Sequence, residues 1–457
     1  MNKTEKLVSL YRHAILEKQL ATGDRLPSLR KLCDSHQVSL TTAQHAYAEL
    51  ERQGLIESLP RSGFRVRQRP SEARTAPPQT EDWRMEHFTT ALPMPWGCPF
   101  MNPALINTTP MNRALSRVLQ DYRHALSATD LEGYDGLRRE LALHYLAQGI
   151  PLDSRELLIT CGGMEALTLA IRAVASVSGK TDMLVLTPAF PAALEQLRQQ
   201  GMRIISVEAR PDGSLDMNRV ESLLAAKPAG MLLMSNFQHP TGQVMPDGQK
   251  QALVSLAAAH GVYLIEDDTY RELYFGSAAP KPLKSWDDSG CVLHCSSFSK
   301  SLAPGYRVGW IAAGRLGDTL RGLKLYSSLG TPLPSQMALA RLLASGQHSD
   351  MLERLRHTLS ERMQAVRQQV ERHFPAQSGL SQPLGGYFQW VMLPEGFDTG
   401  ALLPLAIEQG IHYAPSRLFR PENSAANGLR LNVSFYDPVQ QQHGMALLGE
   451  LLRHGPN

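Results

Sequence analysis

Five short segments of this 457-residue chain hold side chains able to do chemistry together. Ser296-Ser297-Phe298-Ser299-Lys300 is followed by Arg307 seven residues after the lysine. An amine of this kind can form a Schiff base with an aldehyde, and neighbouring hydroxyls and a guanidinium can hold an anion. Cys161-Gly162-Gly163-Met164 is a glycine-rich turn opening a helix, which presents free backbone N–H groups to an anion. Thr187-Pro188-Ala189-Phe190-Pro191 is a rigid turn carrying an aromatic ring, and Glu266-Asp267-Asp268-Thr269-Tyr270 supplies carboxylates. Ser235-Asn236-Phe237-Gln238-His239-Pro240-Thr241-Gly242 completes the set.

Each segment follows an apolar run of strand length. The runs are Leu157–Thr160, Met183–Leu186, Arg203–Ser206, Met231–Met234, Val262–Ile265 and Val292–Cys295, with helical stretches between them. That alternation predicts an α/β sheet, mostly parallel, whose ligands bind beyond the carboxyl ends of the strands. Taken singly, a Gly-Gly pair is a turn, Phe190 is core, and acidic strand ends cap helices. Together, phosphate donors, an aromatic plate, a carboxylate, a lysine and an arginine are the parts needed to hold pyridoxal 5′-phosphate. The lysine makes the Schiff base, a carboxylate keeps the pyridine nitrogen protonated, and cation and hydroxyls hold the phosphate.

The N-terminal 69 residues are of another kind. They carry 12 basic and 7 acidic residues, a net +5, whereas the remainder carries 34 and 36, a net −2. Such asymmetry predicts a nucleic-acid-binding module on a neutral body. Leu7, Leu10, Tyr11, Ala14 and Ile15 recur at helical spacing. Pro27 and Ser28 open a second helix ending near His36. Ser39, Thr41 or Thr42 caps a third that runs to about Gln53. Leu55–Ser58 and Phe64–Arg67 form a β-wing around Arg61-Ser62-Gly63. On the third helix Ala43, Ala46, Tyr47 and Leu50 face inward. Thr41, His45, Ala48 and Arg52 face outward, where a recognition helix meets DNA. Arg30, Arg61 and Ser62 are candidate phosphate contacts. A Pro-rich tether over 70–89 separates this module from a body at 90–457, with a large part at about 113–335 and a small part at about 336–457.

Composition is that of a globular protein, 43% hydrophobic and 19% charged, which excludes wholesale disorder, collagen and coiled coil. No stretch has the length and apolarity of a membrane span, and Met1–Leu20 lacks a signal peptide's apolar core. Cys33, Cys98, Cys161, Cys291 and Cys295 are scattered and odd in number, as expected of a reducing cytoplasm. Cys291 and Cys295 flank His294, but no second ligand pair accompanies them. They read as small residues of a buried strand, and no metal is expected.

The stretch GDRLPSLRKLCDSHQVSLTTAQHAYAELERQGLIESLPRSGFRV resembles the GntR family of bacterial winged helix-turn-helix domains. Leu40 stands where many members have arginine after the Val-Ser pair, so the resemblance assigns base recognition to Ser39, Thr41, Thr42 and Gln44, beside His45. EGYDGLRRELALHY, ITCGGMEAL, LTPAFP, NFQHPTG, IEDDTY, SSFSKSLAPGYRVGW, PLGGYFQWV and GLRLNVSF resemble a fold type I, aspartate aminotransferase-like domain. That resemblance implies a large α/β domain with a smaller C-terminal α+β domain. It makes Lys300 the aldimine lysine, Asp267 the pyridine partner and Tyr270 the partner of the ring 3-oxygen. Phe190 stacks on the ring, and Gly162, Gly163, Met164, Ser297, Ser299 and Arg307 bind phosphate. Arg430 binds a substrate α-carboxylate. His239 stands where the family has asparagine donating to the 3-oxygen. The fusion resembles the MocR subfamily of transcription regulators. It implies a cytoplasmic homodimer binding double-stranded DNA and sensing an amino compound through aldimine exchange at Lys300. A transaminase carrying a DNA-binding head, and a regulator sensing the cofactor itself, are the alternatives. Tyr134 and Asn102 are candidate positions near the residue a partner subunit contributes.

Overall fold

The computed structural model describes residues 2–17, 19–59, 63–67, 92–123, 127–422, 427–438 and 441–453. Arg61, Ser62 and the tether expected over 70–89 lie outside the described residues. Chain contacts divide the protein into two compact units, Met1–Trp83 and Arg84–Asn457.

In the first unit, helix α1 (Lys3–Leu16) starts at a capping box in which Asn2 and Glu5 satisfy each other's backbone N–H. Ser28 caps α2 (Leu29–His36) and Ser39 caps α3 (Leu40–Arg52). Strands β1 (Ile56–Leu59) and β2 (Gly63–Val66) pair antiparallel, Ile56 opposite Val66. Leu7, Ile15, Leu32, Ala43, Ala46, Tyr47 and Leu50 form the core. Tyr47 packs edge-on against Phe64 (4.9 Å between centroids), and its hydroxyl donates to Pro27 O at 2.9 Å. The buried stripe of α1 is narrower than its pattern suggests. Leu10 is 51% exposed, because α1 packs on α3 through the Leu7–Tyr11–Ile15 line.

The second unit contains a seven-stranded sheet. Its strands are β3 (Leu157–Thr160), β4 (Asp182–Thr187), β5 (Arg203–Glu208), β6 (Gly230–Leu233), β7 (Tyr263–Asp267), β8 (Val292–Ser297) and β9 (Gly309–Ala312). They lie in the order β3-β9-β8-β7-β6-β4-β5. The six apolar runs read from sequence are all strands of it. β9 is antiparallel to both neighbours, and the other pairs are parallel. Preceding the sheet are α4 (Thr109–Asp121) and α5 (Asp135–Leu146). Four further helices connect its first five strands: α6 (Gly162–Ser178), α7 (Pro191–Gln199), α8 (Met217–Ala225) and α9 (Asp247–His260). One sheet face packs Leu158, Val185, Ile265 and Leu293 against Ala166, Leu169 and Ala173 of α6. The other packs Met231, Leu233 and Leu264 against Leu253 and Val254 of α9. Burial on both faces explains the near-continuous apolar strands.

After α10 (Gly317–Leu325), α11 (Leu333–Ala344) packs Met337, Leu339 and Leu342 against Met111, Leu137 and Trp310. The long α12 (Gln347–His373) presents Leu352, Leu355, Leu359, Met363, Val366 and Val370 to a second core. That core covers a four-stranded antiparallel sheet of β10 (Gly379–Leu380), β11 (Phe388–Met392), β12 (Ala414–Pro415) and β13 (Gly428–Asn432), in the order β10-β11-β13-β12. Helices α13 (Thr399–Glu408) and α14 (Gln442–Arg453) complete it. Trp96, Cys98 and Met101 belong to the same core, so the first described residues of this unit pack with its last elements.

Candidate functional site

A single residue, Cys161, separates β3 from α6, so the chain turns sharply. Gly162 sits at φ +75°, and a Cβ there would fall 2.6 Å from Arg307 Nη2. The turn therefore requires glycine twice over, for backbone conformation and for space. The first N–H groups of α6 have no intrahelical partner. Facing this end are Ser297 and Thr269, whose hydroxyl oxygens would lie 3.4 and 3.5 Å from a Cβ at Gly163. Arg307 donates through Nη2 to Cys161 O (2.9 Å), and its own backbone is left-handed at φ +54°. Ser299 N donates to Ser297 Oγ at 3.4 Å. Gly163, Met164, Thr269, Ser297, Ser299 and Arg307 line one end of a cavity of about 120 Å³, with Phe100, Phe190, Asp267, Tyr270 and Lys300 on its other walls.

Strand alternation aims Asp267. Its chain neighbours, Glu266 on β7 and Asp268 just past its end, point to the opposite face and are pinned there. Glu266 accepts from Leu283 N (2.8 Å) and bonds His294 Nδ1 (3.0 Å), while Tyr145 bonds His294 Nε2 (3.0 Å). Asp268 accepts from Asn236 Nδ2 (2.9 Å) and pairs with Arg271 Nε at 3.1 Å. His294 thus serves a buried hydrogen-bond network, with Cys291 and Cys295 buried beside it. Asp267 accepts from both N and Oγ1 of Thr269 (3.2 and 2.5 Å). Burial raises its carboxyl pKa, and the Thr269 bonds oppose that rise. Lys300 Nζ donates to Pro99 O (3.2 Å) and lies within 6 Å of the Phe100, Tyr270 and Tyr387 ring centres. Burial, then the charge of Arg430, lowers its pKa to about 8. The amine is therefore poised to act as a nucleophile. Tyr270 is buried at 5.5 Å from the Tyr387 ring, and burial raises its phenol pKa.

The other end is built by His239 and Arg430. Arg430 Nη1 bonds His239 Nε2 at 2.8 Å, and Nη2 donates to Gly97 O. An arginine only donates, so His239 accepts through Nε2 and carries its proton on Nδ1. Burial, then Arg430 and Lys300, drives the His239 pKa well below its ordinary value, which keeps the ring neutral. His239 stacks on Phe388 (4.4 Å, 21°) and Phe190 lies 5.3 Å away. His239 Nδ1 and Arg430 Nε have no hydrogen-bond partner among the described residues. Burial lowers the Arg430 pKa to about 10.

The aminotransferase class I and II family profile matches residues 104–440 of the chain. The chain belongs to that family. This aminotransferase family member carries a GntR head, since the profile of bacterial regulatory proteins of the gntR family matches residues 3–66. The same fusion is found in the uncharacterized HTH-type transcriptional regulator YdcR of Escherichia coli K12. YdcR is 34% identical over 467 residues that cover 99% of each chain. The chain is thus a GntR/MocR-type helix-turn-helix protein fused to a fold type I pyridoxal phosphate domain. Among solved structures, LysN, the α-aminoadipate aminotransferase of Thermus thermophilus, was determined with N-(5′-phosphopyridoxyl)-L-leucine. It matches with 30% identity and a TM-score of 0.69, over 78% of this chain and 90% of that one. The multiple substrate aminotransferase of Thermococcus profundus shares the fold at 24% identity, with a TM-score of 0.75 over 84% and 97%.

The residues of this family member fit pyridoxal 5′-phosphate. Gly162 leaves room for the Arg307 guanidinium at the cavity wall, and the Nδ1 proton of His239 lacks an acceptor among the described residues, which a ring oxygen would supply. Of the cofactor residues read from sequence, Lys300, Asp267, Tyr270, Phe190, Gly163, Met164, Ser297, Ser299 and Arg307 line one cavity. Gly162 touches Arg307 at its edge. His239 lies beside Phe190 and Asp267 in an adjoining hollow. Thr269, Phe100 and Tyr387 escaped the reading. Thr269 had a signal, because it lies between two chosen residues on the same turn. Asn102 caps a short turn and donates from its backbone to Ser434 Oγ. Tyr134 donates from its backbone N–H to Gln336 Oε1.

In the GntR head, Thr41, Gln44, His45, Ala48 and Arg52 are exposed on α3, and Arg30 is exposed on α2. Ser39 is occupied as the α3 cap. Its Oγ accepts from Thr42 N (3.2 Å) and lies 2.8 Å from Thr42 Oγ1. These two hydroxyls orient the helix end, and the freely presented groups are those of Thr41, Gln44 and His45.

Proposed function

We propose that the protein is a pyridoxal-phosphate-dependent transcription regulator. It binds double-stranded DNA as a homodimer and responds to a small amino compound. The observation carrying this is a lysine–carboxylate–anion cradle in the same chain as a GntR-type helix-turn-helix head. When bound, the cofactor supplies an aldehyde for amines and a ring that accepts electrons. Lys300 supplies the amine, and Asp267 holds the proton of the ring nitrogen. Phe190 covers the ring, and His239 and Tyr270 donate toward its 3-oxygen. Gly162, Gly163, Met164, Ser297, Ser299 and Arg307 hold the phosphate. Arg430 would hold the carboxylate of an amino compound, and the Lys300 amine, when not joined to the cofactor, could carry a proton. The response follows only if the ligand binds two arrangements of the protein unequally. On DNA, Thr41, Thr42, Gln44 and His45 face bases, with Ser39 positioning them, and Arg30, Arg61 and Ser62 meet phosphates.

The test measures DNA affinity with and without cofactor and amino acids. Steep loss of affinity with salt is expected, because phosphate contacts release counterions. Equal DNA binding after deletion of Met1–Arg69 would remove the regulator reading. A second reading, an amino acid transaminase, is favoured by Lys300, Asp267 and Arg430 all being present. Multiple turnover with an amino donor and a 2-oxo acid, without a DNA response, would establish it instead.

A further inference from the structure

A carboxylate stands beside the anion cradle. Glu165 lies in the first turn of α6. Its Oε2 accepts from Cys161 N, one residue before the first glycine of the cradle, and its Oε1 accepts from Ser328 Oγ. An acidic side chain there complements the partial positive charge of the helix end. It draws on the same partial charge that would attract a phosphate, and it repels the phosphate directly.

The counter-charge is a lysine with no exposed surface. Lys324 of α10 is 0% exposed, and its Nζ lies 3.8 Å from Glu165 Oε2. Nζ donates to Ile159 O on β3 (2.7 Å) and to Thr331 Oγ1 (2.9 Å). The chain beyond α10 folds back around this residue. Ser327, Ser328 and Leu329 all donate from N to Lys324 O (3.2, 3.0 and 3.1 Å), and Leu329 is left-handed at φ +60°. That reversal brings Ser328 to Glu165 and Thr331 to Nζ. Burial lowers the Lys324 pKa, and the charge of Glu165 is the foremost cause opposing that, ahead of Cys161 and Asp130. Glu165, Lys324, Ser328 and Thr331 all lie behind the residues that line the cavity, so a ligand entering it meets none of these bonds.

We infer that Lys324 is a positioning residue of the anion end, cancelling the charge of Glu165 so that the first turn of α6 can receive a phosphate. This rests on the cofactor reading above. Solvent is kept from the lysine, so salt screens the pair weakly. The carboxylate acts on the anion across one turn of helix, and the ammonium acts through the carboxylate. Glu165 has its own task in the fold, because it ties the turn before α6 to the loop after α10. Lys324 lets it do so without closing the helix end to anions.

The experiment is equilibrium titration of the full chain with pyridoxal 5′-phosphate and, separately, with pyridoxal, which has the same ring and aldehyde but no phosphate. Imine absorbance gives both affinities. Lys324→Met keeps a side chain of similar length, and Ile159 O keeps its bond from Thr331 Oγ1 (3.3 Å). That variant is expected to bind pyridoxal 5′-phosphate about tenfold more weakly, and pyridoxal weaker by no more than about threefold. Adding Glu165→Gln removes the repelling charge and keeps an acceptor for Cys161 N. The pair of substitutions should restore pyridoxal 5′-phosphate affinity to within about threefold of the parent. A lysine that only supports the fold would weaken both compounds alike, with no rescue by glutamine, and either result overturns the inference. Glu165→Gln alone should bind pyridoxal 5′-phosphate at least as tightly as the parent. Weaker binding there counts against the charge argument, even where Lys324→Met fails to fold. If the parent prefers pyridoxal 5′-phosphate to pyridoxal and Lys324→Met keeps that preference, the inference falls and the cofactor reading stands. If the parent binds neither compound, both fall.

Discussion

The two ends of the cavity are built on different principles. At the phosphate end the fixed parts are backbone: a left-handed glycine, the first turn of α6 and an arginine held by Cys161 O. Buried strands β3, β8 and β9, with β9 antiparallel to the other two, hold them. At the carboxylate end the parts are side chains of the small antiparallel sheet, and Arg430 donates to His239 Nε2 and Gly97 O while Nε has no partner among the described residues. One end offers backbone fixed by the fold, and the other a buried guanidinium with N–H groups still unused.

Substitutions should separate the ends. Lys300→Ala is expected to abolish borohydride-trapped cofactor altogether, read as loss of the labelled peptide containing Ser297–Lys300. The same imine spectrum in that variant would refute the assignment. Gly162→Ala should weaken cofactor affinity on the order of a hundredfold. Left-handed alanine costs roughly 1–2 kcal/mol, and displacing Arg307 loses a charge-assisted bond of about 1.5–3 kcal/mol. Equilibrium titration would show it, and a change under about threefold would mean that the cradle is elsewhere. The Lys300 pKa, lowered to about 8, sets the pH response. Below that value the amine is protonated and inert, and above it neutral, so loading should speed up about tenfold between about pH 7 and pH 9 and then level off. Stopped-flow absorbance would follow it, and a rate falling with pH would contradict the depressed value. Arg430→Ala should change cofactor affinity by no more than about threefold while abolishing the response to amino compounds. A retained response would favour sensing of the cofactor alone.

The phosphate end was largely legible in the sequence, because glycine, serine, lysine and arginine at strand ends have few other reasons to cluster. The segment Gly97–Phe100 was not, because it meets Arg430, Asn432, Lys300 and Tyr387 through carbonyl oxygens, which belong to every residue and leave no signature. Six strands of the large sheet showed as apolar runs, and β9 did not. The head was read well where burial follows helical period, as at Ala43, Ala46, Tyr47 and Leu50. It was read less well at Ser39 and Thr42, whose hydroxyls suit both DNA and capping, and only the fold shows that capping uses them.

Gly309 has a consequence of its own. A Cβ on it would meet the Gly162 carbonyl carbon at 2.6 Å, so two main chains rest directly on each other beneath the anion cradle. A random-mutagenesis screen for defective cofactor uptake should therefore return hits at the head of a buried strand that carries no polar side chain of the site. Such hits would look like folding defects on a list, yet they would report the same few ångströms of floor on which a phosphate would rest.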